Sequence, residues 1–283
     1  MLSIIICSRT KQIAREFQEN IKNTIDSECE LLVIDNSENN YSIFEAYNLG
    51  IQKSSGAYLC FIHDDIVFRT PGWGKVIETI FKSDETIGLI GIAGATVKTK
   101  MPSAWWDCPL ENRIINIRQH LTSGEIENWQ VGWKDKAVEE VVAIDGVFMA
   151  MRKADAFLFN EKLGGFHNYD LDLSFNVKRN NKKIVVTNQF LVEHLSEGQL
   201  SGDWVQSTLK IHRLYNRILP LGVGNIQKEE QKVLEIENAK KIIYLSFRYK
   251  RPFLALKVWL KLFLIAPKNK YHTVFWKEFL NLK

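Results

Sequence analysis

Short apolar runs alternate with helical patterns through the first half of the chain. "LSIIIC" predicts a strand, Gln12 to Ile25 a helix, "ELLVID" a second strand and Ile43 to Gln52 a second helix. "AYLCFI" is the next strand, Gly74 to Lys82 the next helix, and "IGLIGIAG" another strand. Continuous apolar strands separated by helices predict a mostly parallel α/β sheet covered on both faces. In such sheets ligands bind at the carboxyl ends of the strands, and those ends here are polar: "CSRT", "DNSE" and "HDD".

The rhythm breaks at Lys98 to Ala137, which reads as loop and holds four of the eight tryptophans, Trp105, Trp106, Trp129 and Trp133. "EEVVAIDGVFMAMRK" then predicts one long strand with a bend at Asp145 and Gly146, and "YDLDLSFNVKRN" the start of a helix. "KIVVTNQFLVEH" holds the last strands, a helix runs from about Asp203 through Leu219, and the chain after Gln227 is helical and basic. This organisation predicts an α/β domain over 1–202 and a helical extension over 203–283.

Charge is unevenly placed. The net +4 conceals a basic end, since from Lys240 onward eleven Lys or Arg face one acid, Glu278. The remaining body is therefore acidic, which argues against nucleic acid as its partner. A basic tail points instead to an anionic surface such as a membrane. "RPFLALKVWLKLFLIAPK" is apolar between Pro252 and Pro267 but too short to span a bilayer. It fits equally an interfacial helix and a helix packed on the body. Cys7, Cys29, Cys60 and Cys108 lie far apart with no metal-binding spacing, as ordinary thiols of a reducing compartment do. "MLSIIICSRT" enters a strand with no charged, signal-like start, and cytoplasmic residence is the expectation.

The motifs narrow the chemistry. The first glycine is Gly50, so the first strand is followed by no glycine-rich dinucleotide turn, and no P-loop pattern occurs. "YLCFIHDDIVF" ends an apolar strand with His63, Asp64 and Asp65, and burying unpaired carboxylates is costly unless they hold something. Asp35 closes the second strand, either as a simple Asx turn or as an acceptor for a nucleoside. Asp170 and Asp172 stand at a loop-to-helix junction behind "GGFHN", and Asp170 is placed to cap the helix.

"AYNLGIQKSSGAYLCFIHDD" resembles the stretch of family 2 glycosyltransferases in which an Ala-x-Asn-x-Gly helix leads to a strand ending in a DxD-type motif. "SIIICSRT" and "LLVIDNSE" upstream, and "IDGVFMAMRK", "GGFHNYDLDLSF" and "VEHLS" downstream, follow in the order of that family over roughly residues 2 to 200. The resemblance implies a GT-A fold, a nucleotide-sugar donor, an acceptor hydroxyl on a saccharide or a lipid-linked saccharide, transfer with inversion, and Mn²⁺ or Mg²⁺. It implies a role in cell-surface polysaccharide or glycoconjugate synthesis.

Carried over position by position, the resemblance makes Asp65 a metal ligand, with His63 at the first DxD place and His194 completing the site. Imidazole suits Mn²⁺ better than Mg²⁺, so His63 is read either as a ligand or as a contact to ribose or phosphate. Ser8, Arg9, Asp35, Asn48, Asp64, Asp145 and Gly146 fall on the donor side. Asp170 takes the place of the general base, while Tyr169 replaces the family's preceding glutamate on the acceptor side. Trp105 and Trp106 offer aromatic faces to an acceptor sugar or simply cover the sheet. Two other readings stand beside this one: a sugar nucleotidyltransferase, and a non-catalytic saccharide-binding or scaffold protein.

Overall fold

The structure is a computed structural model, and it describes residues 1–155 and 157–281. The chain opens β1 (Leu2–Ser8), α1 (Arg15–Thr24), β2 (Cys29–Asp35), α2 (Ile43–Lys53), β3 (Tyr58–Ile62), β4 (Ile66–Phe68) and α3 (Trp73–Ser83). Next come β5 (Ile87–Gly91), β6 (Ala93–Ala95), β7 (Val97–Lys98), β8 (Arg113–His120), β9 (Ile126–Val131), β10 (Val138–Val141), β11 (Ala143–Ile144) and β12 (Phe148–Arg152). The remainder is α4 (Tyr169–Arg179), β13 (Lys183–Thr187), β14 (Val192–His194), α5 (Gly202–Leu214), β15 (Leu221–Gly222), α6 (Lys228–Arg248), α7 (Pro252–Ile265) and α8 (Tyr271–Leu280).

The main sheet has seven strands in the order β10-β13-β5-β12-β3-β1-β2. All run parallel except β12 and β10, which are antiparallel to their neighbours. The expected mostly parallel α/β architecture is therefore present. Its strands are apolar on both faces because helices cover both sides: Ile4 and Ile6 enter one core cluster and Ile5 the other. Trp73 serves packing, with its ring stacked 4.1 Å from Phe68.

A second sheet, β11-β6-β8-β14-β4 with β9 on β8, departs from the pattern expected of the sequence. Lys98–Ala137 is not simply loop, because β8 and β9 pair as a hairpin. Their tryptophans and charged residues mask the alternation that marks a half-exposed ribbon. The run "EEVVAIDGVFMAMRK" is three strands rather than one. β10 and β12 belong to the main sheet, while β11 pairs with β6 in the second. Continuous apolar composition marks burial but does not say in which sheet.

Helix α2 starts on a capping box in which Ser42 Oγ accepts from the Glu45 N–H and Glu45 accepts from the Ser42 N–H. Its Gly50 is a close approach to the sheet, since a Cβ there would stand 2.3 Å from Ile5. The thirteen-residue α5 and the long α6 pack against the body, where Asn238 Nδ2 donates to Thr99 Oγ1 at 2.9 Å. Helices α6, α7 and α8 share a separate core around Ile242, Val258, Leu262 and Phe275. No helix among the described residues is long and apolar enough to cross a membrane.

Candidate active site

Strand β3 carries His63, Asp64 and Asp65 out of the main sheet, and β4 takes the chain into the second. The turn is pinned by two backbone bonds, His63 N to Val147 O at 3.2 Å and Leu195 N to Asp65 O at 2.9 Å. In β14, His194 is registered between Ile66 of β4 and Gln119 of β8. Residues 131 positions apart are thereby brought together, with His63 Nδ1 3.4 Å from His194 Nε2. Asp65 Oδ1 lies 3.7 Å from His63 Nδ1 and 3.5 Å from His194 Nε2. The three atoms form a triangle of the size at which ligands share one small divalent ion.

Each corner of the triangle is held from behind. His194 Nδ1 meets Gln119 Oε1 at 3.0 Å, which leaves Nε2 facing inward. His63 Nε2 meets the Tyr169 hydroxyl at 2.5 Å. Ser196 Oγ donates to Asp65 Oδ2 at 2.6 Å. Burial opposes ionisation of Asp65, but the His194 and Ser196 hydrogen bonds and the two imidazoles outweigh it and hold the carboxyl well below its ordinary range. His63 is pushed down by burial first and by His194 second, so its imidazole favours the neutral, ligating form. Two imidazoles and one carboxylate fit Mn²⁺ better than Mg²⁺.

Tyr169 reaches His63 because Gly146 makes room for it. A Cβ on Gly146 would stand 2.4 Å from the Tyr169 hydroxyl oxygen. The predicted bend at Asp145 and Gly146 lies between β11 and β12. Asp145 Oδ1 accepts from the Val147 N–H at 2.8 Å, and its Oδ2 accepts from Trp105 Nε1 at 2.8 Å. The second of these bonds fixes the buried Trp105 ring, against which Trp106 stands edge-on at 5.5 Å.

Asp170 is in the first turn of α4, but it is not the cap. The N-cap is Asn168, at φ 61°, and Asn168 Nδ2 donates to Thr208 Oγ1 of α5 at 3.1 Å. The loop "GGFHN" turns through left-handed conformations at Gly164, Gly165 and Asn168, which moves the cap two residues upstream of the first acid. Asp170 is thereby left half-buried in the wall of a cavity. Burial, and then the neighbouring Asp145 carboxylate, push it up to about 7. Asp172 is a structural clamp, accepting from Asn160 N and the Tyr215 hydroxyl, both at 2.8 Å.

The cavity has a volume of about 670 Å³ and joins His63, His194, Asp145, Gly146, Tyr169 and Asp170 to Trp105 and Trp106. Its far wall is apolar, built from Ile115 and Ile117 of β8 and Trp129 and Val131 of β9. Pattern reading missed this wall, along with Gln119 and Ser196. Hairpin alternation at Ile115, Ile117, Trp129 and Val131 was the available signal for the first, and only strand register reveals the other two.

The remaining donor-side residues separate into two groups. Ser8, Arg9 and Asp64 form a cluster on neighbouring strand ends, with Ser8 Oγ and Arg9 N donating to Asp64 Oδ2 at 3.2 and 3.3 Å. Asp35 pairs in register with Ser8, is exposed, and makes the Asx turn onto Ser37 N at 2.9 Å. Asn48 departs from expectation. It is buried in α2, outside the cavity lining, where its Nδ2 donates to Phe159 O at 2.9 Å and Glu161 Oε1 at 2.8 Å, while its Oδ1 accepts from Phe159 N at 2.9 Å. Both amide hydrogens and the amide oxygen are bonded to protein, so Asn48 clamps the 159–161 segment.

The family model described as "Glycosyltransferase like family" matches residues 3–214. The chain belongs to that family. No curated protein matches the sequence. Among solved structures, this glycosyltransferase-like chain is similar to GalNAc-T7 with UDP, GalNAc and Mn²⁺, at 12% identity and a TM-score of 0.54. That match covers 88% of this chain but only 57% of the other. A second similarity is to S. aureus TarS 1-349 in complex with UDP-GlcNAc, at 11% identity and a TM-score of 0.48, covering 93% of this chain and 88% of the other. The shared fold is GT-A, and the implied family and fold class are both present.

Proposed function

We propose that the protein transfers a sugar from a nucleotide-sugar donor to an acceptor hydroxyl with inversion. The observation that carries this reading is the arrangement around one cavity: a divalent-ion triangle at one side and a carboxyl poised near neutrality at another. Asp65, His63 and His194 would hold Mn²⁺ or, less well, Mg²⁺. When bound, the ion supplies Lewis-acid stabilisation of the charge that develops on the departing nucleoside diphosphate.

The chain's own groups perform the remaining tasks. The Ser8, Arg9, Asp64 and Asp35 strand ends receive the nucleoside end of the donor, as ligands bind outside the carboxyl ends of parallel strands. Asp170 Oδ2 takes the acceptor hydroxyl proton as that oxygen attacks the anomeric carbon, since a base titrating near 7 is matched to neutral pH. Trp105, fixed by Asp145, and Trp106 give the acceptor ring an apolar platform. The apolar wall of β8 and β9 extends that platform and favours a saccharide carried on a lipid, as in the synthesis of cell-surface polysaccharides and glycoconjugates. Four free cysteine thiols support a cytoplasmic setting.

Thermal-shift measurement against a panel of nucleoside diphosphates, each with and without Mn²⁺, tests the donor side. The expected result is a melting point raised by one nucleotide class only in the presence of metal. Release of pyrophosphate instead of a nucleoside diphosphate during turnover would replace the transferase reading with a nucleotidyltransferase one. Metal-dependent donor binding with neither hydrolysis nor transfer to any acceptor would replace it with a binding role.

A further inference from the structure

Helix α7 buries one face on α6 and α8 through Ala255, Val258 and Leu262. The opposite face is also apolar. Phe253, Leu256, Leu260 and Leu264 recur three, four and four residues apart and form one stripe along it. Phe253 is 74% exposed and Leu264 81% exposed, while Leu260, Phe263 and, on α8, Trp276 and Leu280 are exposed beside them. Trp276 packs on Trp259 at 5.0 Å, and Trp259 on Phe263 at 5.6 Å, so the two helices present one continuous surface. A contiguous apolar patch of this kind is unfavourable in water and marks a surface that is covered by something.

Its surroundings say what covers it. Lys257 and Lys261 flank the stripe, and Lys268, Lys270 and Lys277 follow on the next loop and helix. From residue 240 on, the only acid is Glu278. An apolar stripe, exposed indoles and a nearly uncompensated cationic rim match the interfacial region of an anionic bilayer, with acyl chains below and phosphate groups beside the lysines.

We propose that α7 and the exposed edge of α8 seat the protein on an anionic lipid surface, with Phe253, Leu260, Phe263, Leu264 and Trp276 inserted and the flanking lysines on the headgroups. The face leads directly to the transfer cavity. Phe253 follows closely on Arg248 and Tyr249, which border a cleft of about 430 Å³. That cleft shares Glu197, Gly198, Gln199 and Leu200 with the main cavity. Tyr249 also ties the two together by donating to Leu200 O at 2.5 Å. Lipid docking therefore places the cavity mouth beside the headgroup layer, where the saccharide of a lipid-linked acceptor lies.

Vesicle flotation of the full chain tests the inference. The expected result is binding to phosphatidylcholine vesicles that contain phosphatidylglycerol, weak binding to phosphatidylcholine alone, and loss of binding as salt rises. Phe253→Ser combined with Leu264→Ser should lower the partition at least tenfold, because two exposed anchors are removed. Lys257→Glu combined with Lys268→Glu should weaken binding and flatten its salt dependence. Both variants alter exposed side chains that line neither the cavity nor the adjoining cleft, so melting temperature and metal-dependent nucleotide binding should remain those of the parent chain. Equal partition of the serine variant would overturn the proposal. So would absence of vesicle binding together with self-association, seen by sedimentation velocity, that the serine variant abolishes; the face would then belong to a second copy of the chain.

Discussion

Replacing Asp170 by Asn should stabilise the protein while disabling it. The folded protein holds this carboxyl at about 7 against an ordinary 3.8, first through burial and then through the Asp145 carboxylate. Such a shift favours the protonated form, so the native state is penalised progressively as pH rises from the unfolded value through about 7. A shift of roughly three units at about 1.4 kcal/mol per unit sets a ceiling of about 4 kcal/mol. Asp170 is only half-buried, and solvent screening reduces the expected gain at pH 8 to about 2 kcal/mol. Asn keeps the shape and keeps an oxygen to accept from Leu171 N, bonded at 2.8 Å in the parent. Melting curves should therefore coincide below about pH 4 and separate by about 4–8 °C at pH 8, with the variant higher. Over the same range the parent's kcat/KM should rise with pH through about 7, while the variant loses about 10²–10⁴-fold of its transfer rate. Nucleoside diphosphate release and differential scanning fluorimetry, run across the same buffers, read both effects. Full turnover in Asp170→Asn would refute the base assignment, and identical melting profiles at every pH would refute the electrostatic account.

Three further outcomes follow from the geometry. Gln119→Leu removes the acceptor that orients His194 and should weaken Mn²⁺ binding about 10–100-fold by calorimetry with the fold retained. Unchanged affinity would show that His194 is not a ligand. Gly146→Ala puts a methyl group where the Tyr169 hydroxyl stands and should cost about 1–3 kcal/mol, together with Mn²⁺ affinity, because His63 loses its support. Asn48→Ala should lower stability by about 2 kcal/mol in urea titration through unpaired groups at Phe159, while nucleotide binding stays at the parent level. A selective loss of nucleotide affinity would return Asn48 to the donor site.

Much of the architecture was legible because burial leaves a compositional mark. A strand covered on both faces must be apolar throughout, so β1, β2, β3 and β5 stand out from the chain without reference to any contact. The polar ends of β1, β2 and β3 were legible for the same reason, since a carboxylate ending such a run has to be paired or functional. Asx and glycine-rich signals located the α4 junction, although its cap proved to be Asn168. Left-handed turns at Gly164 and Gly165 displace the helix start, and their geometry is not readable from residue type alone. The β8–β9 hairpin escaped because its tryptophans and charges obscure the period-two pattern.

The amino-acid order thus determined the α/β class and the strands that end in polar residues, because each is a local consequence of periodicity or of the cost of burying charge. Tertiary structure alone decided their company. Strand register sets His194 against Gln119, the departure of β3 from its sheet turns Asp65 toward both histidines, and the missing side chain of Gly146 admits Tyr169 to His63. It also decided which polar residues are left for function. Asn48 and Asp172 have the same chemical capacity as residues lining the cavity, but packing satisfies their hydrogen-bonding groups within the protein, whereas Asp170 lines the cavity with Oδ2 bonded to none of the described residues.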